Sequence, residues 1–227
     1  KALQNLLPER HNATTFEEIA PIAGTVIELP DGMQIIPAAL HPAFSAPSML
    51  LALRAALVIT ISAKLLTPAQ AAEAATSNLG TWQGLASRQS IIPSTDGIIW
   101  VDDALATVPE ATLSALSRWR ERGIQLLLGG DDRGQSFSEL AQAVRDMKNV
   151  RIHVFSKTAE NVLAAATAAG IADRITPHQT LEDMISGAAE LAGAGEVILF
   201  SPAAPSAPPH RDYTERSTIF KSFVPQG

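Results

Sequence analysis

Ile124-Gln125-Leu126-Leu127-Leu128-Gly129-Gly130-Asp131 is the stretch that decides the fold. Its apolar run is short and ends in a glycine pair, which predicts a buried strand over Ile124–Leu128 closed by a turn. Ser136–Met147 follows with helical spacing, with Ser136 as a cap and Glu139 placed to answer it. Val150–Phe155 then predicts a second apolar strand. Strand, helix and strand joined by short links form a βαβ unit, whose two strands run parallel.

The same rhythm extends outward in both directions. Upstream, Ile98–Val101 predicts a strand and Pro109–Arg122 a helix with proline near its start. Downstream come a helix over Thr158–Ala168, a weak strand over Arg174–Thr176, a helix over Leu181–Ala192, a strand over Val197–Phe200 and a last helix over Asp212–Phe223. The fold class is therefore α/β, a doubly wound and mostly parallel sheet. Before it the chain reads differently. Gly24–Leu29 and Met33–Ile36 flank the turn signal Pro30-Asp31-Gly32, which predicts a β-hairpin. Residues 47–64 and 68–77 predict alanine-rich helices, the second opened by Thr67 as N-cap and Pro68 at the first helical position. A boundary within residues 86–92 gives a smaller α+β unit, 1–88, and an α/β unit, 89–227.

Ligands of a doubly wound sheet lie beyond the carboxyl ends of its strands. Here those ends carry Asp102-Asp103, Gly129-Gly130-Asp131, Ser156-Lys157 and Ser201-Pro202, where polar and glycine residues gather. No G-x-G-x-x-G follows any strand, which excludes a dinucleotide-binding domain of the NAD type. No G-x-S-x-G surrounds Ser201, so that residue reads as a strand end rather than a nucleophile. His41, His153, His178 and His210 lack metal-ligand spacing and read as structural, so no metal site is expected.

The bulk composition is that of a globular protein, with 46% hydrophobic and 18% charged residues. A net charge of -6 argues against a nucleic-acid-binding face. The absence of cysteine removes any disulfide framework. Arg54 and Lys64 interrupt the apolar stretch Met49–Leu66, leaving less than the ~20 residues needed to span a bilayer, so no membrane insertion is expected. The start, Lys1-Ala2-Leu3-Gln4, shows no secretory pattern, and a cytoplasmic location is expected.

Four segments in order resemble one family. They are Gly84-Leu85-Ala86-Ser87-Arg88; Asp102-Asp103-Ala104-Leu105-Ala106-Thr107-Val108; Gly129-Gly130-Asp131-Asp132-Arg133-Gly134 with Phe137 after it; and Leu199-Phe200-Ser201-Pro202-Ala203-Ala204-Pro205-Ser206, followed by Arg211-Asp212-Tyr213 and Glu215-Arg216. Their order and spacing resemble the C-terminal domain of Mur ligases of the MurD type. The resemblance implies a Rossmann-like fold for 89–227 and makes 1–88 the tail of the central ATPase domain. It implies ATP and Mg2+ as cofactors, mostly bound by residues outside this chain, and UDP-N-acetylmuramoyl-L-alanine and D-glutamate as substrates. The N-terminal and central domains of such an enzyme would be the chain's partners.

Carried over by position, the resemblance makes Arg88 and Asp103 nucleotide contacts. It places Thr107, Arg133, Ser206 and Tyr213 around the incoming D-glutamate. A guanidinium at 133 can clamp a carboxylate through two hydrogen bonds, where the family's lysine offers a point charge. No catalytic residue is assigned with certainty. Simpler readings stand beside these. Arg88 can be a surface or interdomain ion-pair partner, Thr107 a helix cap, and Asp102-Asp103 a solvated pair. Gly129-Gly130 can be a plain strand-to-helix turn.

The departures are equally specific. Leu105 stands where the family has lysine and Val108 where it has asparagine. Pro42 and Ser45 replace the asparagines expected after His41, and Asp212 replaces one before the aromatic. Lys157 and Lys221 are the lysines that could stand in for the one missing at 105. No G-x-x-x-x-G-K-[ST] occurs, so the chain by itself cannot cradle ATP phosphates. The alternative to a divergent ligase is a non-catalytic binding module derived from the same family.

Overall fold

A computed structural model describes residues 85–226, together with 27–28, 34–35, 55–57, 59–61, 63–67, 69–71 and 73–74 of the preceding part. The chain divides into two compact units, Lys1–Trp82 and Gln83–Gly227.

In the first unit, β1 (Ile27–Glu28) pairs antiparallel with β2 (Gln34–Ile35), on either side of the expected turn. Residues 55–57, 59–61, 69–71 and 73–74 are helical. Thr67 and Gln70 cap each other: the Gln70 N–H donates to Thr67 Oγ1 at 3.3 Å, and the Thr67 N–H donates to Gln70 Oε1 at 3.0 Å. That reciprocal pair satisfies two amides that a helix start leaves open. His41, Pro42 and Ser45 lie outside the described residues.

Among the described residues the second unit is a six-stranded sheet with five α-helices. The strands are β3 (Ser90–Ile92), β4 (Ile99–Asp102), β5 (Ile124–Gly129), β6 (Val150–Phe155), β7 (Ile175–Pro177) and β8 (Val197–Phe200). Their order is β3-β4-β8-β5-β6-β7. All neighbours are parallel except β3, which lies antiparallel on β4. The helices are α1 (Pro109–Arg118), α2 (Ser138–Asp146), α3 (Ala159–Ala169), α4 (Leu181–Leu191) and α5 (Tyr213–Ser222). Among the described residues no helix is long and apolar enough to cross a membrane.

The two sheet faces explain why β8 is apolar throughout and why Gln125 is the one polar residue of β5. Helices cover both sides of a parallel sheet, so neither face meets water. One face packs Val101, Leu126, Leu128, Ile152, Val154 and Leu199 with residues of α1, α2 and α3. The other packs Trp100, Leu127, Ile198 and Phe200 with α4 and α5.

One expectation needs correction. Ser136 does not cap α2: the helix begins at Ser138 after Phe137, with no side-chain cap, and Ser136 Oγ instead accepts from the Ser138 amide. The core claims Phe137, 3% exposed, and burying that ring sets where the helix starts. Strand β3 was not expected. Its three residues alternate between half-buried and exposed, too short a signal to stand out.

One polar chain crosses the apolar face. Gln125 Nε2 donates to Glu196 Oε2 at 3.3 Å, His153 Nε2 meets Gln125 Oε1 at 3.0 Å, and His153 Nδ1 meets His178 Nε2 at 3.0 Å. A carboxylate at Glu196 can only accept, and that fixes the rest. Gln125 turns its amide NH2 to Glu196 and its oxygen to His153. His153 therefore donates from Nε2 and accepts at Nδ1, and His178 donates from Nε2.

Burial, with His178 and Arg151 nearby, pushes the His153 imidazole down to about 4. Burial also lowers His178, against the pull of Asp183. The folded state thus binds the His153 proton more weakly than the unfolded chain, whose imidazole titrates at its ordinary 6.5. Stability is full above that value and falls as pH drops toward the folded one. Between pH 7 and pH 4, denaturant titration should show His153→Gln losing about 3 kcal/mol less stability than the parent. Equal losses would show that His153 titrates normally.

Candidate functional site

Strands β4, β8 and β5 are adjacent and parallel, so their carboxyl ends sit side by side. At the end of β4, two consecutive carboxylates face opposite ways, as strand alternation requires. Asp102 accepts from Ser217 Oγ at 2.6 Å and Lys221 Nζ at 3.0 Å, both on α5. Ser217 Oγ in turn receives the Ser87 hydroxyl at 2.9 Å. Asp103 accepts the Gln89 amide at 3.1 Å and Ser201 Oγ at 2.7 Å. Thr112 of α1 completes that side, donating to the Ser201 carbonyl at 3.0 Å. Both carboxylates are buried, and each ties one end of segment 87–89 to the sheet.

Burial pushes the Asp103 carboxyl up to about 6, aided by the Asp102 charge. The Ser201 and Gln89 hydrogen bonds and the Arg88 charge pull the other way. Arg88 itself is exposed, and its charge favours the ionised form of Asp103.

The loops after β5 and β8 are laced to each other. The Gly129 amide donates to the Pro202 carbonyl at 3.0 Å and the Asp131 amide to the Pro205 carbonyl at 2.8 Å. The approach is close enough to require glycine. A Cβ at Gly130 would strike the Pro205 carbonyl oxygen, and one at Gly129, where φ is +149°, would meet the Phe155 ring. The simple turn reading of the glycine pair is thus incomplete, because the pair also lets two site loops touch.

Arg216 lies beneath these loops, fully buried. Its guanidinium donates to the Gly129 carbonyl at 3.0 Å, the Ala104 carbonyl at 3.2 Å and the Ala204 carbonyl at 3.3 Å from both Nη atoms. Burial lowers it to about 10, so it keeps its charge at neutral pH.

The expected D-glutamate contacts lie on the links that follow β4, β5 and β8 and at the start of α5. Thr107 is exposed on the β4–α1 link; α1 is preceded by Val108 with no side-chain cap, so Thr107 is not the cap. Arg133 is exposed on the β5–α2 loop, and among the described residues only its backbone amide is engaged, by Gln135 Oε1 at 2.8 Å. The Ser206 Oγ is buried without a hydrogen-bond partner among the described residues. Tyr213 opens α5 and is 41% exposed. Asp212 is the N-cap of α5, its side chain accepting from the Glu215 amide at 3.0 Å. Leu105 is half-buried, its amide given to the Ser87 carbonyl at 3.1 Å. Of the two candidate replacement lysines, Lys221 pairs with Asp102 and Lys157 with Asp131 at 3.2 Å. Gly84 lies outside the described residues.

Sequence reasoning missed the parts of this site that work from below: Arg216, Ser217 and Thr112. One signal was available for the first. Arg216 and Phe220 are one helical turn apart on the buried side of α5, and a charge on that stripe calls for an explanation.

The sequence model of the family described as Mur ligase, glutamate ligase domain, matches residues 87–204. A UDP-N-acetylmuramoylalanine--D-glutamate ligase of Paraburkholderia xenovorans is 37% identical over 147 residues, which is 64% of this chain and 28% of that one. Its counterpart in Paraburkholderia phymatum is 34% identical over 146 residues, again 28% of its length. The chain therefore spans little more than a quarter of these relatives. Among solved structures, MurF ligase from Thermotoga maritima aligns with TM-score 0.54 at 15% identity, over 78% of this chain and 37% of that one. The UDP-N-acetylmuramate-alanine ligase MurC of the same organism aligns at 0.53 and 16%, with the same coverage. These two show the fold. With its doubly wound sheet and its match across the site loops, this chain belongs to the Mur ligase family, through its glutamate ligase domain.

Proposed function

We propose that this chain is the amino-acid-binding part of a divergent, cytoplasmic, ATP-dependent ligase of the MurD type. That enzyme would join D-glutamate to UDP-N-acetylmuramoyl-L-alanine in peptidoglycan synthesis. Residues 1–88 would be the tail of the central domain and 89–227 the C-terminal domain. The relatives at 34–37% identity carry that activity in their names, which supports the reading.

The observation that carries it is the Ser206 hydroxyl. It is withdrawn from water, unpartnered among the described residues, and sits on the loop laced to Gly130-Asp131. A buried hydroxyl without a partner is rare, and a ligand carboxylate would complete it. D-Glutamate has two carboxylates and an amine. Arg133 would clamp one carboxylate with two charge-assisted hydrogen bonds, and Ser206 would donate to the other. Thr107 and Tyr213 would contact the amino acid from the β4 side and from α5.

ATP with magnesium would supply the activating phosphoryl group. This chain fits only the nucleotide's outer part: Arg88 offers a cation to the phosphates, and Asp103 offers acceptors to the ribose hydroxyls. The phosphate cradle and the magnesium ligands would come from parts of the protein outside this chain.

The test is phosphate release by the complete gene product with ATP and UDP-N-acetylmuramoyl-L-alanine. Release should require D-glutamate, and L-glutamate should not replace it. Arg133→Ala should raise KM for D-glutamate by roughly tenfold to a hundredfold, the worth of a charge-assisted hydrogen bond. No turnover with either amino acid would favour a non-catalytic binding module.

Asp103 separates a nucleotide contact from a purely structural carboxylate. Its raised pKa means that the proton stabilises the folded state; that contribution is full below the ordinary value of 3.8 and is lost as pH rises through about 6. At pH 7 the buried charge is a cost that Asp103→Asn removes, so the variant should melt no lower than the parent. Its KM for ATP should nonetheless rise roughly tenfold, as expected for one lost hydrogen bond. An unchanged KM in that folded variant would leave Asp103 as a tether only.

A further inference from the structure

We infer that Arg216 is the positioning residue of the proposed D-glutamate site, holding the roots of its loops in register through one guanidinium. The inference rests on the amino-acid-binding reading above.

Each loop expected to meet the amino acid is rooted at an Arg216 contact. The Ala104 carbonyl precedes the link that carries Thr107. The Gly129 carbonyl precedes the loop that carries Arg133. The Ala204 carbonyl, bonded twice, lies two residues before Ser206. Arg216 itself sits one turn into α5, the helix that Tyr213 opens. One side chain thus ties together the backbones of four segments that come from different places in the chain.

Only arginine can make this junction. Its planar fork presents several fixed donors, whereas lysine has a single compact ammonium. As a stabilising device, however, Arg216 is poorly chosen. It is fully buried, its hydrogen bonds go only to carbonyl oxygens, and its Nε has no partner among the described residues. A buried charge without a counter-ion is usually worse for stability than an apolar residue of similar volume. What it offers in exchange is geometry, with the loops held in place before the ligand arrives. It also places a positive charge, with no ion-pair partner among the described residues, below the point where an amino acid with two carboxylates would lie.

The test uses the complete gene product carrying Arg216→Lys, which keeps the charge and loses the fork. A melting curve first establishes that the variant folds. The expected result is a KM for D-glutamate raised at least tenfold and kcat lowered by roughly a hundredfold, the cost of a misplacement of about 1 Å. KM for UDP-N-acetylmuramoyl-L-alanine should stay within about twofold, because that substrate does not depend on these loops. A folded variant with both D-glutamate parameters unchanged would overturn the inference. So would an equal rise in both KM values, which is the mark of general loosening.

If Arg216→Lys does not fold, hydrogen exchange on the parent protein decides. The amides of Leu105, Gly129 and Asp131 should be equally protected with and without D-glutamate. Protection that arises only with D-glutamate would mean the ligand, not Arg216, orders the loops. A parent protein with no D-glutamate-dependent release fails the functional reading itself, a result distinct from either of these.

Discussion

One buried cation, Arg216, ties together the backbone at the carboxyl end of this sheet. Parallel strands deliver their carboxyl ends to one edge of the sheet, and each end leaves a carbonyl that needs a donor. Arg216 supplies donors to three of the segments at once. The carboxylates at the end of β4 do the complementary work. Asp102 holds α5 through Ser217 and Lys221, and Asp103 holds the junction segment and the β8 end through Gln89 and Ser201. The glycine pair after β5 removes the side chains that would keep the laced loops apart. The cation and the glycines act on the backbone, whereas the carboxylates hold mainly side chains of α5 and of the β8 end.

This division of labour explains which departures from the family pattern the fold absorbs. At position 212 an aspartate caps α5 through its side chain, so a carboxylate there has a helix-starting duty of its own. Position 105 contributes its amide to the Ser87 carbonyl whatever its side chain, and leucine keeps that backbone contact. Position 108 fares less well. Val108 precedes α1 without a side-chain cap, where an asparagine could have supplied one. The scaffold therefore tolerates these changes, and their weight falls on the chemistry above it.

Much of the fold was legible in the sequence because its signals are local. Val197–Phe200 is a continuous apolar run and Val150–Phe155 an apolar one broken by Arg151 and His153, and both strands have those bounds. Helix α1 starts at the proline expected to open it. The misses are tertiary in origin. Ser136 and Glu139 read as a capping box, but packing of Phe137 moved the start of α2. Strand β3 has three residues and gains its identity from pairing with β4. In the site, the motif residues could be named from spacing, but the burial of Asp103 and its hydrogen bonds to Gln89 and Ser201 could not. Arg216 could be quoted as part of a motif but not given a role, since its acceptors lie 12, 87 and 112 residues away in the chain. Spacing within a motif cannot show a contact of that kind.

The measurement that tests this account most directly is a crystal structure of the complete gene product with D-glutamate bound. The account predicts one carboxylate within hydrogen-bond reach of the Arg133 guanidinium and the other within reach of Ser206 Oγ, above an unmoved Arg216. D-Glutamate held elsewhere, or a Ser206 hydroxyl that turns to a protein partner instead, would contradict it.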